Sequence, residues 1–389
     1  MAEDPSATIA SRLAWLRDSG IQEPPGSPEA GGVHAWIDET SGAPAYLYSE
    51  ITGYFMTLCA QLERAGYGPD WLVRGEAAAR WIAERALDRS GAVLARKYAD
   101  PRAAAADPYS FGRRRVLFFD SAMVGYGLLE IGRSTGNGRW IETARRIGKF
   151  ALSAFDSKGG PHAACDLEPG CAIPPGPRWS QHFGSYELKG ALFLESLAAE
   201  TGDAAFRDLA ARILVMALLF QDDTGRFPTD LERAATHLHP HFYTVEGLLW
   251  LAARRGRGDL LDPARRAIDW AFRECLLGKR TFQQWSGRPD LAIPGLRSDA
   301  LAQALRAYEI AKLLAPSASF AWEEDVPSLR SKLDSFTLPS GGTSYGEDEH
   351  GKKTAHANAW CHFFATEAAL FRKFREPGAP FDPATLVIT

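Results

Sequence analysis

Residues 118–155 read FFDSAMVGYGLLEIGRSTGNGRWIETARRIGKFALSAF, and this stretch decides the fold. Its first half is apolar on nearly every side, which is typical of a helix buried all round. RSTGNGRW follows, with a glycine where a helix can stop and an asparagine that can cap the next one. The second half carries its charges on one face, so it indicates a helix with a solvated side. The stretch therefore predicts a helical hairpin with an inner and an outer helix.

The hairpin pattern recurs along the whole chain. Related phrases with glycine between two helical segments are ERAGYGPDW (63–71), AETGDAAF (199–206) and ARRGRGDLL (253–261). A fifth pair follows at 298–314 and 322–336, and an inner segment at 357–374 is left to pair with the N-terminal helix at 6–20. Six such hairpins resemble the (α/α)6 toroid, the six-hairpin glycosidase-like architecture, as a single all-α domain over residues 1–389. The alternative is an open α-solenoid, in which the two terminal helices need not meet.

Composition excludes several classes of protein. The 389 residues are 46% hydrophobic and 24% charged with a formal charge of −4, which is typical of a globular domain without a nucleic-acid or membrane footprint. We find neither a signal peptide nor an apolar stretch long enough to span a membrane. Five dispersed cysteines indicate reduced thiols, so we expect a cytoplasmic protein. The sequence permits a homodimer and leaves the oligomeric state open.

The connections that lead into the inner helices are long, at roughly 20–30 residues against a usual median of about 4–6. In a ring of hairpins they all lie at one end, so we expect them to form one cavity lined by aromatic side chains. The N-termini of the inner helices favour anions or sugar oxygens there. The predicted substrate-binding residues lie in or beside these connections: His34, Trp36, Tyr48, Glu50, Arg115, Trp179, His182, Tyr186, Tyr243, Trp285, Asn358 and Trp360. For Arg115, part of the run 113–115, a solvated basic patch is an alternative.

Acidic residues open several inner helices. Glu50 and Glu187 each stand three residues before a glycine, in YSEITG and SYELKG, and capping of a helix N-terminus explains them as well as chemistry does. Asp120 and Asp299 are expected to be N-caps. Asp120 is the better candidate for chemistry, because it follows the apolar VLFF and burial raises a carboxyl pKa into the range of a general acid.

Histidines concentrate before the fourth inner helix, where residues 235–250 read ATHLHPHFYTVEGLLW. A metal site at His239 and His241 lacks a third ligand and a His-Glu-x-x-His phrase, so proton transfer, loop packing and helix capping remain as explanations. His356 precedes the last inner helix and is the expected second member of a proton-transfer pair, with Glu246 orienting the first. We predict no metal and no cofactor.

HPHFYTVEGLLWL and KKTAHANAW resemble the N-acylglucosamine 2-epimerase superfamily, in which one histidine precedes a late inner helix and another lies near the last hairpin. The resemblance implies a cofactor-independent sugar epimerase or isomerase, with His239 or His241 and His356 as acid and base. It departs from the family in the five-residue spacing from His241 to Glu246. Two alternatives remain: a glycoside hydrolase or lyase using Asp120 with Glu187 or Glu246, and a sugar-binding protein without catalysis. Each has a small sugar or sugar derivative as its ligand.

Overall fold

The computed structural model describes residues 5–157, 160–168, 171–174, 176, 179–230, 234–278, 281–379 and 381–389. These ranges contain thirteen α-helices: α1 Pro5–Asp18, α2 Ser49–Arg64, α3 Asp70–Trp81, α4 Pro101–Ala106, α5 Phe118–Thr135, α6 Gly138–Ala154, α7 Ala191–Thr201, α8 Ala204–Leu219, α9 Leu238–Arg255, α10 Leu261–Ala271, α11 Ser298–Leu314, α12 Val326–Asp334 and α13 Ala359–Phe374. Apart from the short α4, they follow the predicted alternation of inner and outer segments. In these ranges, no helix is both long and apolar enough to cross a membrane.

Glycine ends the inner helices as the repeat predicts. Gly136, Gly202 and Gly256 cap α5, α7 and α9 in the left-handed conformation, with φ of 69°, 72° and 64°. A residue with a Cβ rarely adopts this conformation, so glycine there stops the helix and turns the chain into the outer helix. The inner-to-outer turns predicted from the repeat phrases are therefore confirmed.

Short strands, which the sequence did not predict, flank the inner helices. They are β1 Trp36–Asp38, β2 Leu47–Tyr48, β3 Arg96–Lys97, β4 Arg115–Leu117, β5 Asp156–Ser157, β6 Gly160–Pro161, β7 Ala164–Asp166, β8 Cys171–Ala172, β9 Thr236–His237, β10 Phe282–Trp285, β11 Ile293–Pro294, β12 Leu296–Arg297, β13 Gly346–Glu347 and β14 His356–Asn358. Antiparallel pairs join β2 to β3, β4 to β7, β9 to β10 and β12 to β13. In each pair, the strand that enters an inner helix bonds to the long connection that leaves the same hairpin. This pairing holds loop side chains beside the helix N-terminus.

The chain divides into two compact units: unit 1 comprises residues 1–19, 37–43 and 216–388, and unit 2 comprises residues 20–36, 44–215 and 389. In unit 2, α2 packs on α3 and α5, and α5 packs on α6 and α7. In unit 1, α11 packs on α9 and α13, and α9 packs on α10. That residues 1–389 form a single domain stays a prediction.

Glycines let two inner helices of unit 2 approach closely. A Cβ on Gly127 would lie 2.5 Å from the main-chain oxygen of Gly53, and a Cβ on Gly53 would lie 2.8 Å from that of Met123. These distances are below van der Waals contact, so neither position accommodates a side chain unless the backbone moves. The glycines in the predicted inner segments therefore serve helix packing.

The N-terminal helix packs against the last inner helix, as predicted for a closed set of hairpins. Arg12 of α1 is buried and donates to Thr343 Oγ1 at 3.0 Å and to Asp334 Oδ1 at 2.9 Å. The main-chain oxygen of Arg12 accepts a 2.9 Å hydrogen bond from Nε2 of His362, which lies in α13. These bonds give partners to both terminal nitrogens of a buried guanidinium and to a buried imidazole, and they tie the two terminal helices together.

Two expectations about helix starts were wrong. The N-cap positions of α5 and α11 are occupied by Leu117 and Arg297, so Asp120 and Asp299 lie within the first turn instead. Extended strands β4 and β12 run directly into these helices, which moves the boundary upstream of both aspartates. In addition, the segment predicted as one inner helix from 184 to 200 begins as a 3₁₀ turn, Ser185–Gly190, before α7.

Candidate functional site

Three acidic residues open the inner helices of unit 2. Glu50 lies in the first turn of α2, Asp120 in the first turn of α5 and Glu187 in the 3₁₀ turn before α7. Their exposed fractions are 9%, 2% and 1%. The three groups lie close enough for their charges to act on one another's titration, because Glu50 raises the pKa of Asp120 and both raise the pKa of Glu187. We call Glu50, Asp120 and Glu187 the carboxyl cluster.

Tyr48 and Arg96 border the carboxyl cluster, and strand register places them there. They are direct partners in the β2–β3 pair. The Tyr48 hydroxyl is within hydrogen-bond reach of both Glu50 and Asp120. The charge of Arg96 opposes the rise of both carboxyl pKa values. The long connection after α3 thus supplies a cation to the start of α2.

The pKa values distinguish the three carboxyl groups. Burial raises the pKa of Glu50, against hydrogen bonds from Tyr48 and Tyr54 and the charges of Arg96 and Lys189. Burial, and then the charge of Glu50, raise the pKa of Asp120 well above its usual value. Burial raises the pKa of Glu187 well above its usual value too, and here Asp120 and Glu50 add to the rise. Glu50 therefore ionises most readily, and Glu187 holds its proton with the least opposition.

Two oxygens of the carboxyl cluster lack hydrogen bonds. Among the described residues, nothing donates to Oδ2 of Asp120 or to Oε2 of Glu187, although both atoms are buried. Leaving such a group unsatisfied costs about 1–3 kcal/mol, and most buried polar atoms avoid this cost. Protein folds retain such a cost chiefly where the groups do chemistry, which makes the cluster the candidate active site.

Aromatic rings surround Arg96 beside the cluster. Its guanidinium carbon lies 4.9 Å from the ring centre of Tyr48, 5.3 Å from that of Tyr109 and 5.5 Å from that of Tyr46. Asp107 holds the Arg96 guanidinium in place: it accepts a hydrogen bond from Arg96 at 3.1 Å and another from the Tyr98 hydroxyl at 2.6 Å. Aromatic faces next to a few polar groups are typical of a small-molecule site, and they suit the apolar face of a sugar.

The other predicted binding residues of unit 2 mostly contact protein groups. His34 bonds to Glu23 Oε1 at 2.9 Å and to the main-chain oxygen of Ala45 at 2.8 Å. Arg115 forms a bidentate ion pair with Asp166, with hydrogen bonds of 2.9 and 3.1 Å, and the two residues are direct partners in the β4–β7 pair. The remaining rings pack on neighbours: Trp36 lies edge-on to Tyr46, and Trp179 lies edge-on to Tyr186, whose hydroxyl contacts the main chain of Trp179 and His182.

In unit 1, His239 lies at the start of α9 within a polar cluster. Nδ1 of His239 is 3.1 Å from Asp299 Oδ2 and 2.8 Å from Gln303 Oε1. Trp360 donates to Asp299 at 3.0 Å, and Tyr243 packs edge-on against the imidazole with ring centres 4.4 Å apart. Burial alone would raise the pKa of Asp299, yet Arg297 and His239 hold it below its usual value. His239 therefore faces a carboxylate.

His241 and His356 have different surroundings. His241 is fully buried, donating from Nε2 to the main-chain oxygen of Ala267 at 3.1 Å and accepting at Nδ1 from the Phe227 N–H at 3.3 Å. Burial lowers the pKa of His241 to about 4, so it stays neutral at physiological pH. With both ring nitrogens bonded to the main chain, His241 holds α9 to its neighbours, and of the two candidates His239 is better placed for proton transfer. His356 is half-buried in β14, and its charge acts on Asp38.

Glu246 forms a buried ion pair. It is fully buried and pairs with Arg306, which also pairs with Glu367. Gln303 Nε2 donates to Glu246 Oε1 at 3.2 Å, and the same amide contacts His239, so Gln303 links the two residues. The last predicted residues of unit 1 lie elsewhere: Trp285 stacks on Phe282 within β10, and Asn358 caps α13 by accepting from the Cys361 N–H.

Sequence reasoning missed the basic members of both clusters. Lys189 and Arg306 are fully buried on inner helices that the repeat assigns as apolar all round. A charged residue in a segment predicted to be buried needs a partner inside the protein. A lysine or arginine in such a segment is therefore a sequence signal that could have identified Lys189 and Arg306. Arg96 stands in a long connection among other basic residues, so only the β2–β3 register reveals it. Within the described ranges, no group of three or more His, Cys, Asp or Glu side chains is arranged to hold a metal ion.

Comparison with solved structures identifies the fold. A sugar epimerase from a ruminal bacterium superposes with a TM-score of 0.74 at 12% identity, covering 96% of this chain and 100% of the other. Cellobiose 2-epimerase from Spirochaeta thermophila superposes with a TM-score of 0.71 at 13% identity, covering 94% of this chain and 96% of the other. An α-1,6-mannanase from Salegentibacter gives a TM-score of 0.63 at 10% identity, covering 95% and 99%.

The chain has the (α/α)6 toroid fold, as the helix repeat predicted. No protein-family model matches the sequence, and no curated protein matches it. The fold is common to proteins named as epimerases, isomerases, lyases and hydrolases. Because one fold hosts many reactions, the chemistry has to be argued from the side chains.

Proposed function

We propose that this protein is a carbohydrate-active enzyme that cleaves a glycosidic bond with the carboxyl cluster of unit 2. The observation that carries the proposal is the pair of buried oxygens, Asp120 Oδ2 and Glu187 Oε2, to which no described residue donates a hydrogen bond. Cleavage of a glycosidic bond requires one protonated carboxyl group and one carboxylate. Because Glu50 raises the pKa of Asp120, and both raise that of Glu187, the cluster can keep one carboxyl group protonated while another is ionised.

Glu187 is the proposed general acid. Its pKa is raised by burial and by the charges of Asp120 and Glu50, which keeps the proton available for the departing sugar oxygen. Asp120 is the proposed carboxylate. Burial and the charge of Glu50 raise its pKa, but Arg96 and the Tyr48 hydroxyl oppose that rise, whereas no such group opposes it at Glu187. Either Asp120 attacks the sugar carbon or it activates water there. Glu50, with the most groups that favour its ionised form, maintains the negative charge that keeps Glu187 protonated.

The substrate is expected to be a sugar held against the tyrosines around Arg96. The names of the structural neighbours include an α-1,6-mannanase, a polysaccharide lyase and an unsaturated glucuronyl hydrolase, all of which act on carbohydrates. At identities near 10% these names suggest a class of substrate and leave the sugar open.

The test is a screen of glycosides and oligosaccharides followed by single substitutions. We expect Asp120→Asn and Glu187→Gln each to lower kcat by about 10²–10⁴ with little change in folding, because each removes one proton-transfer group. Glu200→Gln is the matched control, since Glu200 lies near the end of α7, the helix that follows the turn holding Glu187, and forms a partly exposed pair with Arg133. Full activity in both cluster variants would contradict the proposal.

A second candidate is the sugar epimerase or isomerase that the histidines suggested. The contact between His239 and Asp299 favours it, because a carboxylate beside an imidazole is a common arrangement for proton abstraction. In this case the product should gain deuterium from solvent at one carbon, and His239→Gln and His356→Gln should abolish turnover. Hydrolysis that survives both substitutions would exclude this candidate.

A further inference from the structure

His239 lies between two hydrogen-bond acceptors on the same side of its ring. Nδ1 is 2.8 Å from Gln303 Oε1 and 3.1 Å from Asp299 Oδ2. Asp299 can only accept, since Arg297 donates to both of its oxygens and Trp360 donates to Oδ2 at 3.0 Å. A carboxylate that pairs in this way with a guanidinium is ionised, so Nδ1 must carry a hydrogen.

The orientation of the Gln303 amide follows from the other end of the side chain. Nε2 lies 3.2 Å from Glu246 Oε1, and this oxygen also receives a hydrogen bond from Arg306. A carboxylate in an ion pair accepts and does not donate, so the amide must present its NH₂ to Glu246 and its oxygen to His239. Flipping the amide would place two oxygens against each other at Glu246 and would oppose the amide NH₂ to the Nδ1 hydrogen at His239. Both ends exclude the flipped amide.

We infer that Asp299 and Gln303 fix His239 in the tautomer with hydrogen on Nδ1, which makes Nε2 the proton-accepting nitrogen of unit 1. Gln303 is a positioning residue, because one end of its amide contacts His239 and the other contacts Glu246, which pairs with Arg306. All of these side chains are buried, with His239 at 7% exposure and Gln303, Asp299, Glu246 and Arg306 at 0%. Water therefore does not compete for the bonds that set the tautomer.

This assignment goes beyond the proposed glycosidase chemistry and depends on no reaction. Sequence reasoning expected Glu246 to orient the histidines, and Gln303 links Glu246 to His239 with the two ends of its amide. An amide can orient the ring without adding a negative charge of its own.

The experiment is nitrogen NMR of the full chain labelled with ¹⁵N-histidine, recorded across the pH range where the protein is folded. The signals of His239 are assigned by their loss in His239→Gln. In the neutral ring we expect the shift of a protonated nitrogen at Nδ1 and that of an unprotonated nitrogen at Nε2. The opposite pattern, an even mixture of tautomers, or a ring that stays doubly protonated throughout the range would each overturn the inference.

Gln303→Leu tests the positioning role separately. Removing one of the two acceptors costs about one hydrogen bond, so the minor Nε2–H tautomer should rise about fivefold. Gln221→Leu is the matched control, because its amide donates to the main-chain oxygens of Gly225 and Pro263 and contacts no histidine in the described structure. A tautomer ratio that is the same in Gln303→Leu as in the wild type contradicts the role of Gln303. Where that variant does not fold, the wild-type spectrum alone decides the assignment.

Discussion

Replacing Glu187 by glutamine should make the protein more stable and less active at the same time. The glutamate is 1% exposed, and among the described residues nothing donates to its Oε2. Glutamine has nearly the same shape and no charge, so it relieves the cost of holding an ionisable group in this environment. If the carboxyl group were retained only for packing, the substitution would leave activity unchanged.

The size of the stability gain depends on pH, and its sign follows from the raised pKa. Below the pKa of glutamate in the unfolded chain, about 4.3, both states are protonated and the variant gains little. As the pH rises, the unfolded chain ionises freely, whereas folded Glu187 either keeps its proton or ionises at a cost. The wild type therefore loses stability as the pH rises from about 4.3 through the raised pKa, and the variant does not. Above that window the gain should be about 1.4 kcal/mol for each unit by which the pKa of Glu187 in the folded protein exceeds that in the unfolded chain.

Urea unfolding at a series of pH values measures this effect, with hydrolysis of the best glycoside as the second readout. Glu200→Gln is the control, and it should change stability by at most about 1 kcal/mol, because a partly exposed pair contributes little. A Glu187→Gln protein that is less stable than the wild type at pH 8, or whose stability difference is the same at every pH, would refute the reasoning.

Two further predictions concern packing and charge. Gly127→Ala should destabilise the protein by about 1–3 kcal/mol or more in urea unfolding, because the new Cβ would meet the oxygen of Gly53 at 2.5 Å. Gly138→Ala, with nothing within 4 Å, should instead stabilise by about 0.5–1 kcal/mol, and equal effects of the two would contradict the close-packing argument. Arg306→Met should lower the free energy of unfolding by about 3–5 kcal/mol, because it removes the cation that pairs with two buried carboxylates. Arg257→Ala, which removes an exposed pair, should change stability by less than about 1 kcal/mol, and a similar loss in both would contradict a special role for the buried pair.

The sequence predicted helices and their order well, because helix periodicity and glycine stops are local signals. Gly136, Gly202 and Gly256 end helices where the phrases place them. The pattern did not predict the short strands, since two-residue strands leave no periodicity to detect. The pattern also did not predict that Asp120 lies inside the first turn of α5, because this position depends on the short strand that runs directly into the helix.

The candidate sites were predicted in part. Glu50, Asp120 and Glu187 were recognised as acidic residues at helix starts, but a capping role explained them as well. Their burial and the charges that act on their pKa values support the catalytic role proposed above, and neither is visible in one sequence. His239 and His241 are two residues apart and look equivalent in the sequence. Only the contacts of each ring separate a histidine bonded to the main chain from one that faces a carboxylate.

By itself, the sequence determined the all-helical (α/α)6 architecture, the positions of its turns and the acidic and histidine-rich helix starts. The tertiary structure alone decided which side chains meet. It placed Arg96 beside the carboxyl cluster through the β2–β3 register, and it placed Gln303 between His239 and Glu246. The physical reason is that periodicity and capping depend on residues a few positions apart, whereas charge, burial and hydrogen bonding at a site depend on residues that only folding brings together.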